Sequence, residues 1–270
     1  MKEHELVTVL LIASVFVLLI DMSVANHSLN ILPVVIILVA VSYLSFTSRT
    51  RVYDVVCSKN NTLLVLPETI DHMYTSLRYG SEYEPHIDAW IHNHVIPGDT
   101  VIDVGAHIGY HTMVFASAVG AQGQVHAVEP VFDDLLGINL ALNNVSNVSV
   151  HKYALNADGT PVSMVKNIGS FAKTFAVAMP LPGSAAISVP TLTLDALVNN
   201  LSIIPTVVKI DVSNDEMYVL QGAHTLMSVH KPQLLLDIAP SNLKLVSELL
   251  TSYGYTLTHI SHDDYYANVA

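Results

Sequence analysis

The chain has 270 residues, and 11 lysines and arginines against 23 aspartates and glutamates leave a formal net charge of −12. A phosphate backbone would be repelled by such a surface, which argues against a nucleic-acid partner. Apolar residues make up 51% and charged ones only 13%, and the single cysteine, Cys57, excludes an intrachain disulfide and a cysteine-built zinc site.

The apolar excess is concentrated at the start. Leu6–Ile20 and Ile31–Phe46 carry no charge, and with their flanks each approaches the roughly 20 residues that cross a bilayer. A two-helix transmembrane hairpin is therefore expected over residues 1–48. A cleaved signal peptide is disfavoured, because the leading MKEHE is not basic and a second apolar run follows at once. Lys2 precedes the first run, Arg49 and Arg51 follow the second, and DMSVANHSLN between them has no Lys or Arg. The positive-inside tendency then puts both ends, and everything after the hairpin, on the cytoplasmic side of a multi-pass membrane protein. Residues 49–97 are expected to connect and to form a lid, and residues 98–270 to form the ligand-binding domain.

From Thr100 onward short apolar runs alternate with helical patterns, which predicts a parallel sheet with crossover helices. TVIDV, Thr100–Val104, is the first strand, and a helix from near Ile108 stops at Gly120. Gln124–Pro130 is the second strand. Phe132–Asn144 is the second helix, with Asp133 and Asp134 in the first turn where the helix dipole favours them. Val148–Leu155 is the third strand, and the Gly-, Pro- and Ser-rich stretch Asn156–Pro190 reads as a hairpin insertion. TLTLDALVNN predicts a short helix, Thr206–Val212 the fourth strand, DEMYVLQGAHTLMS a helix and Pro232–Ala239 the fifth strand. An amphipathic helix closed by Gly254 precedes YTLTHI and YYANVA, an antiparallel pair joined by SHDD. The class is α/β: a doubly wound, Rossmann-like sheet of seven strands whose last hairpin is antiparallel.

Such sheets bind ligands outside the carboxyl ends of their strands, at the turn leaving the first one. Gly105 and Gly109 stand in that turn, VIDVGAHIGY. A dinucleotide fingerprint would need further glycines where the chain has His107 and Tyr110, which disfavours a nicotinamide-dependent oxidoreductase. Asp103 repels a diphosphate but suits a cationic amino group. Glu129, 20 residues past Gly109, is placed to accept hydrogen bonds from both hydroxyls of a ribose. An amino acid joined to a ribose without phosphates describes S-adenosylmethionine.

IPGDTVIDVGAHIGYHT, QVHAVEP, TLTLDAL and VVKIDVSNDEMYVLQGA, in that order, resemble the FkbM-type S-adenosylmethionine-dependent methyltransferases. The similarity runs from about Tyr83 to the C-terminus, takes in GSEYEP at Gly80–Pro85, and leaves the apolar N-terminus outside. It implies a class I methyltransferase sheet, O-methylation of hydroxyls in natural products and glycans, and cofactor contacts from Asp103, Gly105, Gly109 and Glu129. It also suggests that Glu84 closes over the pocket, and it places His107, where the family usually has Asn, in the cofactor turn. Ser213 and Asn214 stand in place of a Glu-Gly pair, and Asp237 in place of a strand-ending Glu.

Methyl transfer to a hydroxyl needs positioning and a proton acceptor. Lys209 and Asp211, two apart on a strand, share one face. Asp211 is expected to orient or deprotonate the acceptor and Lys209 to keep it ionised, a structural ion pair being the alternative. His111, one helical turn past His107, is a second candidate base. Asp211 and Asp237 end neighbouring strands, but no third ligand for a Mg²⁺ accompanies them, and the 14 histidines are scattered, so no metal is expected. The functional expectation is a membrane-anchored methyltransferase acting on a glycan, lipid-linked or other small-molecule hydroxyl. The alternative is a catalytically lapsed domain that serves as a subunit or scaffold of a membrane assembly.

Overall fold

The computed structural model describes residues 53–58, 61–67, 72–166, 175–176 and 186–269. The chain divides into two units, one of residues up to 83 with 137–146, the other of 84–136 with 147–270.

In the first unit β1 (Tyr53–Cys57) pairs antiparallel with β2 (Leu63–Pro67), with Val55 opposite Val65. The LLVLP run of β2 is buried at every position, so its backbone must find partners inside the protein. Asparagine side chains supply them. Asn143 Oδ1 accepts the Leu63 N–H at 2.8 Å, its Nδ2 donates to the Leu63 carbonyl at 2.7 Å, and Asn139 Oδ1 accepts the Val65 N–H at 2.7 Å. The helix α1 (His72–Arg78) ends in Arg78, whose Nε donates to Asp54 Oδ2 at 2.6 Å.

The second unit opens with α2 (Pro85–His94) and then alternates strand and helix: β3 (Thr100–Val104), α3 (Tyr110–Val119), β4 (Gln124–Val128), the start of α4 (Asp133–Leu142) and β5 (Val148–His151). Short pieces follow: β6 (Ala154–Leu155), β7 (Val162–Lys166), β8 (Phe175–Ala176), β9 (Ala186–Val189) and β10 (Thr191–Leu192). The regular pattern resumes with α5 (Leu194–Leu201), β11 (Val207–Ile210), α6 (Glu216–Gln221), β12 (Gln233–Asp237), α7 (Leu243–Ser252), β13 (Tyr255–Ser261) and β14 (Asp264–Val269). The main sheet has seven strands in the order β13-β14-β12-β11-β3-β4-β5. The five from β12 to β5 are parallel and β14 and β13 are antiparallel.

The central strands are near-continuous apolar runs, as strands covered on both faces must be. VVKI of β11 is buried throughout, and Ile102, Val104, Val208, Ile210, Leu234 and Leu236 form the heart of the core. Helix α5 shows how the cover is made. Leu194, Leu197 and Val198 form a buried i, i+3, i+4 stripe, and Thr193 caps the helix by accepting the Ala196 N–H at 3.0 Å.

Three local expectations change. The third strand is interrupted after His151, and β6 leaves the main sheet to pair in parallel with β10. The insertion holds a three-stranded antiparallel sheet, β8-β7-β9, instead of a simple hairpin. The helix expected over DEMYVLQGAHTLMS stops at Gln221, because both oxygens of Asp195 take the Thr225 and Leu226 N–H groups, at 2.7 and 2.9 Å, and start a new π-helical segment, Leu226–His230.

The membrane part of the expected fold does not stand. No helix among the described residues is long and apolar enough to cross a membrane, and the runs Leu6–Ile20 and Ile31–Phe46 lie outside the described residues. Among the described residues the fold class is the Rossmann-like sheet alone, and neither a transmembrane hairpin nor the multi-pass, cytoplasm-facing localisation built on it finds support there.

Candidate active site

The turn between β3 and α3 is built on left-handed backbone: Gly105 at φ 83°, His107 at φ 54° and Gly109 at φ 93°. Gly105 is required twice over, since a Cβ there would also lie 1.9 Å from the Asp211 carbonyl oxygen. The N–H groups of Gly105 and Ala106 both donate to the Val128 carbonyl, at 3.0 and 3.2 Å, which ties the turn to the end of β4.

Asp103, at 1% exposure, accepts a hydrogen bond from Thr112 Oγ1 on Oδ2 at 2.6 Å. Its Oδ1 lies 3.6 Å from Lys209 Nζ and makes no hydrogen bond among the described residues. Lys209 stands opposite Asp103 in the β3–β11 register and donates to Asp211 Oδ2 at 2.9 Å. Burial alone would lower the Lys209 pKa, but Asp211 and Asp103 beside it more than reverse that and hold the ammonium above its ordinary value. Burial works to raise the Asp211 pKa, and the Lys209 charge and hydrogen bond override it and leave the carboxyl below its ordinary range. Thr112, Asp103, Lys209 and Asp211 thus form one continuous polar chain under the turn.

His111, buried on the first turn of α3, has Nε2 at 3.6 Å from Glu84 Oε2 and 3.8 Å from Asp88 Oδ1. Burial and then the Lys209 charge push it down to about 3, so the ring is neutral at physiological pH and only weakly basic. Glu84 precedes Pro85 in a left-handed conformation, φ 43°, at the start of α2, and Tyr110 Oη donates to Asp88 Oδ2 at 2.9 Å.

Glu129 lies just past the end of β4, buried at 6% exposure. Oε2 accepts the His107 N–H at 2.9 Å, and Oε1 accepts those of Val131 at 2.8 Å and Phe132 at 3.0 Å. Burial raises its pKa in spite of those three donors. The His107 ring meets Phe132 edge-on, with centroids 4.5 Å apart. Glu129 therefore carries the turn.

Beyond Asp211 the chain passes through two consecutive left-handed residues, Ser213 at φ 52° and Asn214 at φ 81°. They hold a glycine-like shape because Glu216, 1% exposed, accepts the Asn214 N–H at 2.6 Å on Oε1. Its Oε2 accepts Asn242 Nδ2 at 2.9 Å, and the same Nδ2 donates to the Asn214 carbonyl at 2.8 Å. At the end of β12, Asp237 stands in register with Asp264 of β14, whose Oδ2 is 2.7 Å from His86 Nε2. Burial, Asp211 and Asp264 together push the Asp237 carboxyl up to about 8. Among the described residues no group of three or more His, Cys, Asp or Glu could hold a metal ion.

The structure brings Asp103, Lys209, Asp211, His111 and Glu84 into one linked group, with Gly105, His107, Gly109 and Glu129 around the adjoining turn. Sequence reasoning missed Thr112, Asp88, the Glu216–Asn242 clamp and the His86–Asp264 pair. The last joins residues 178 positions apart, and no local pattern signals it.

A mixed seven-stranded sheet in this order, with a carboxylate near the end of each of β3 and β4 and a glycine turn between, is the Rossmann-like fold of the methyltransferase type. Residues 103–257 match the Methyltransferase FkbM domain, and the chain belongs to that family.

Among solved structures the chain is similar to a methyltransferase FkbM from Methylobacillus flagellatus, at 17% identity and a TM-score of 0.43, covering 67% of this chain and 50% of that one. It thus spans about half the length of that relative. It is also similar to an S-adenosylmethionine-dependent O-methyltransferase from Thermotoga maritima, at 14% identity and a TM-score of 0.47, covering 76% and 73%. A third is a ribosomal protein L11 methylase from Lactobacillus delbrueckii, at 13% identity and a TM-score of 0.44, covering 68% and 76%. No curated protein matches significantly.

Proposed function

We propose that the chain is an S-adenosylmethionine-dependent methyltransferase that methylates a hydroxyl of a glycan, lipid-linked or other small-molecule acceptor. The observation that carries this is Asp103 Oδ1, a buried acceptor atom without a hydrogen bond among the described residues, lying beside a glycine turn. A cationic amino group would satisfy it. Glu129 would take one ribose hydroxyl on the Oε2 lone pair that its three backbone donors leave open. Gly105 and Gly109 allow close approach, and His107 and Glu84 flank the ligand. The cofactor, when bound, supplies an electrophilic methyl group on a sulfonium.

The chain's own task is orientation. Asp211, fixed by Lys209 at 2.9 Å, sets the place and orientation of the acceptor, and His111 offers a neutral imidazole to the same space. The net charge of −12 disfavours nucleic acid as the acceptor. The clamp of Glu216 and Asn242 on the Ser213–Asn214 loop supports an active enzyme over a lapsed domain, since it preserves the shape of the loop that follows Asp211.

The test is a comparison of melting midpoints of the full chain with S-adenosylmethionine, S-adenosylhomocysteine, NAD or buffer. A ligand that binds only the folded state must raise the midpoint. A shift with the two adenosyl ligands and none with NAD is expected, and no shift with either adenosyl ligand would remove the reading.

A further inference from the structure

Transfer of a methyl group to a hydroxyl oxygen releases a proton that some group near the acceptor must take. Lys209 is held protonated by two carboxylates, and Asp211 is engaged by Lys209 at 2.9 Å and held below its ordinary range. His111 binds a proton only near pH 3. None of the three suits the task at neutral pH.

The strand register points to a fourth group. β11 and β12 run parallel with Ile210 opposite Leu236, so Asp211 and Asp237 are neighbours at the next position, at the carboxyl edge where this fold binds its ligands. Asp237 is only partly buried, unlike Asp103 and Lys209. It lies directly across from Asp264 on β14, and Asp264 is joined at 2.7 Å to His86 on the first turn of α2. The His86 and Asp264 side chains retain 22% and 14% exposure, which gives this corner an opening to water. The charged groups that act on Asp237 are Asp211, Lys209, Asp264 and Glu216.

We propose that Asp237 is the catalytic base of this site: its carboxylate takes the acceptor O–H proton as that oxygen bonds to the methyl carbon and the carbon–sulfur bond breaks. The sulfonium becomes a neutral thioether, Asp237 becomes a neutral carboxyl, and the proton leaves to water at the His86–Asp264 corner. Asp211 and Lys209 are then positioning residues. A carboxyl brought to about 8 by burial, Asp211 and Asp264 titrates near working pH, as a general base should.

The inference rests on the cofactor reading above, and its test needs no acceptor. Sinefungin replaces the S–CH₃ of the cofactor by C–NH₃⁺, so its ammonium stands where the methyl group would, whereas S-adenosylhomocysteine has nothing there. Both are titrated calorimetrically into the full chain at pH 7, in buffers of different ionisation enthalpy, to count protons. Sinefungin should release about one more proton than S-adenosylhomocysteine, as the ammonium ionises Asp237.

In Asp237→Asn that difference should vanish and the preference for sinefungin should fall about tenfold, with S-adenosylhomocysteine affinity unchanged. Asp237→Glu should restore both. Equal proton release by wild type and Asp237→Asn, with both ligands bound, overturns the assignment of Asp237 alone. Failure of both ligands to bind the wild type removes the cofactor reading and this inference together.

Discussion

The Asp211 carbonyl oxygen rests so close to the Gly105 Cα that a methyl group there would lie 1.9 Å from it. The glycine turn after β3 and the end of β11 are therefore one packed unit. Movement of one is felt by the other.

Gly105→Ala should be severely destabilising, by more than about 2 kcal/mol, because it combines a backbone clash with a left-handed conformation. Gly137→Ala is the contrast: its Cβ would meet nothing within 4 Å, and helix propensity favours alanine by about 1 kcal/mol. Urea denaturation of both variants checks the pair. A Gly105→Ala protein as stable as the wild type would show that the turn can move away from β11.

Glu129→Ala should cost stability as well as affinity. The side chain accepts three backbone N–H groups while buried, and stranding them costs about 1–3 kcal/mol. S-adenosylhomocysteine affinity should fall at least about tenfold. Glu129→Gln keeps one acceptor oxygen and should lie between wild type and alanine in both calorimetric titration and melting. Undiminished affinity in both variants would detach Glu129 from the ligand.

The raised pKa of Asp237 fixes the sign of a pH effect. Its carboxyl titrates at about 8 in the folded chain against 3.8 as the ordinary value, so between those pH values the folded state binds the extra proton. The contribution of Asp237 to stability must then fall as pH rises through that window and level off above it. Asp237→Asn should flatten this part of the urea-midpoint profile. An identical slope in wild type and variant would show that Asp237 titrates normally.

The loop after β11 gives opposite expectations at neighbouring positions. Ser213 is left-handed at φ 52°, so Ser213→Gly should stabilise by about 1 kcal/mol. Glu216→Ala, which removes a buried carboxylate holding two donors, should destabilise by more than about 2 kcal/mol. Thermal melting separates the signs directly. A destabilised Ser213→Gly would mean that the serine side chain holds the loop.

What could be read from the sequence follows from how far apart the determinants lie. β3, β4, β11, β12 and the closing β13–β14 pair were legible because each apolar run carries its own turn residues. The turn itself was legible for the same reason: Asp103, Gly105 and Gly109 stand within seven residues of one another. The split of the third strand and the stop at Gln221 depend on distant partners, β10 and Asp195, which no window of local sequence contains. Glu129 was placed correctly on β4's end, but its three backbone donors emerged only from the fold. The hairpin expected on the apolar N-terminal runs has no counterpart among the described helices, and the runs themselves lie outside the described residues.

The two asparagines that serve β2 also bear on how this chain behaves among copies of itself. A buried apolar strand with an open side is a template for adding a strand from another molecule, the first step toward swapped dimers or fibres. On β2 the Leu63 N–H and carbonyl and the Val65 N–H are already taken by the carboxamides of Asn143 and Asn139, so LLVLP has no ladder left to offer an incoming chain.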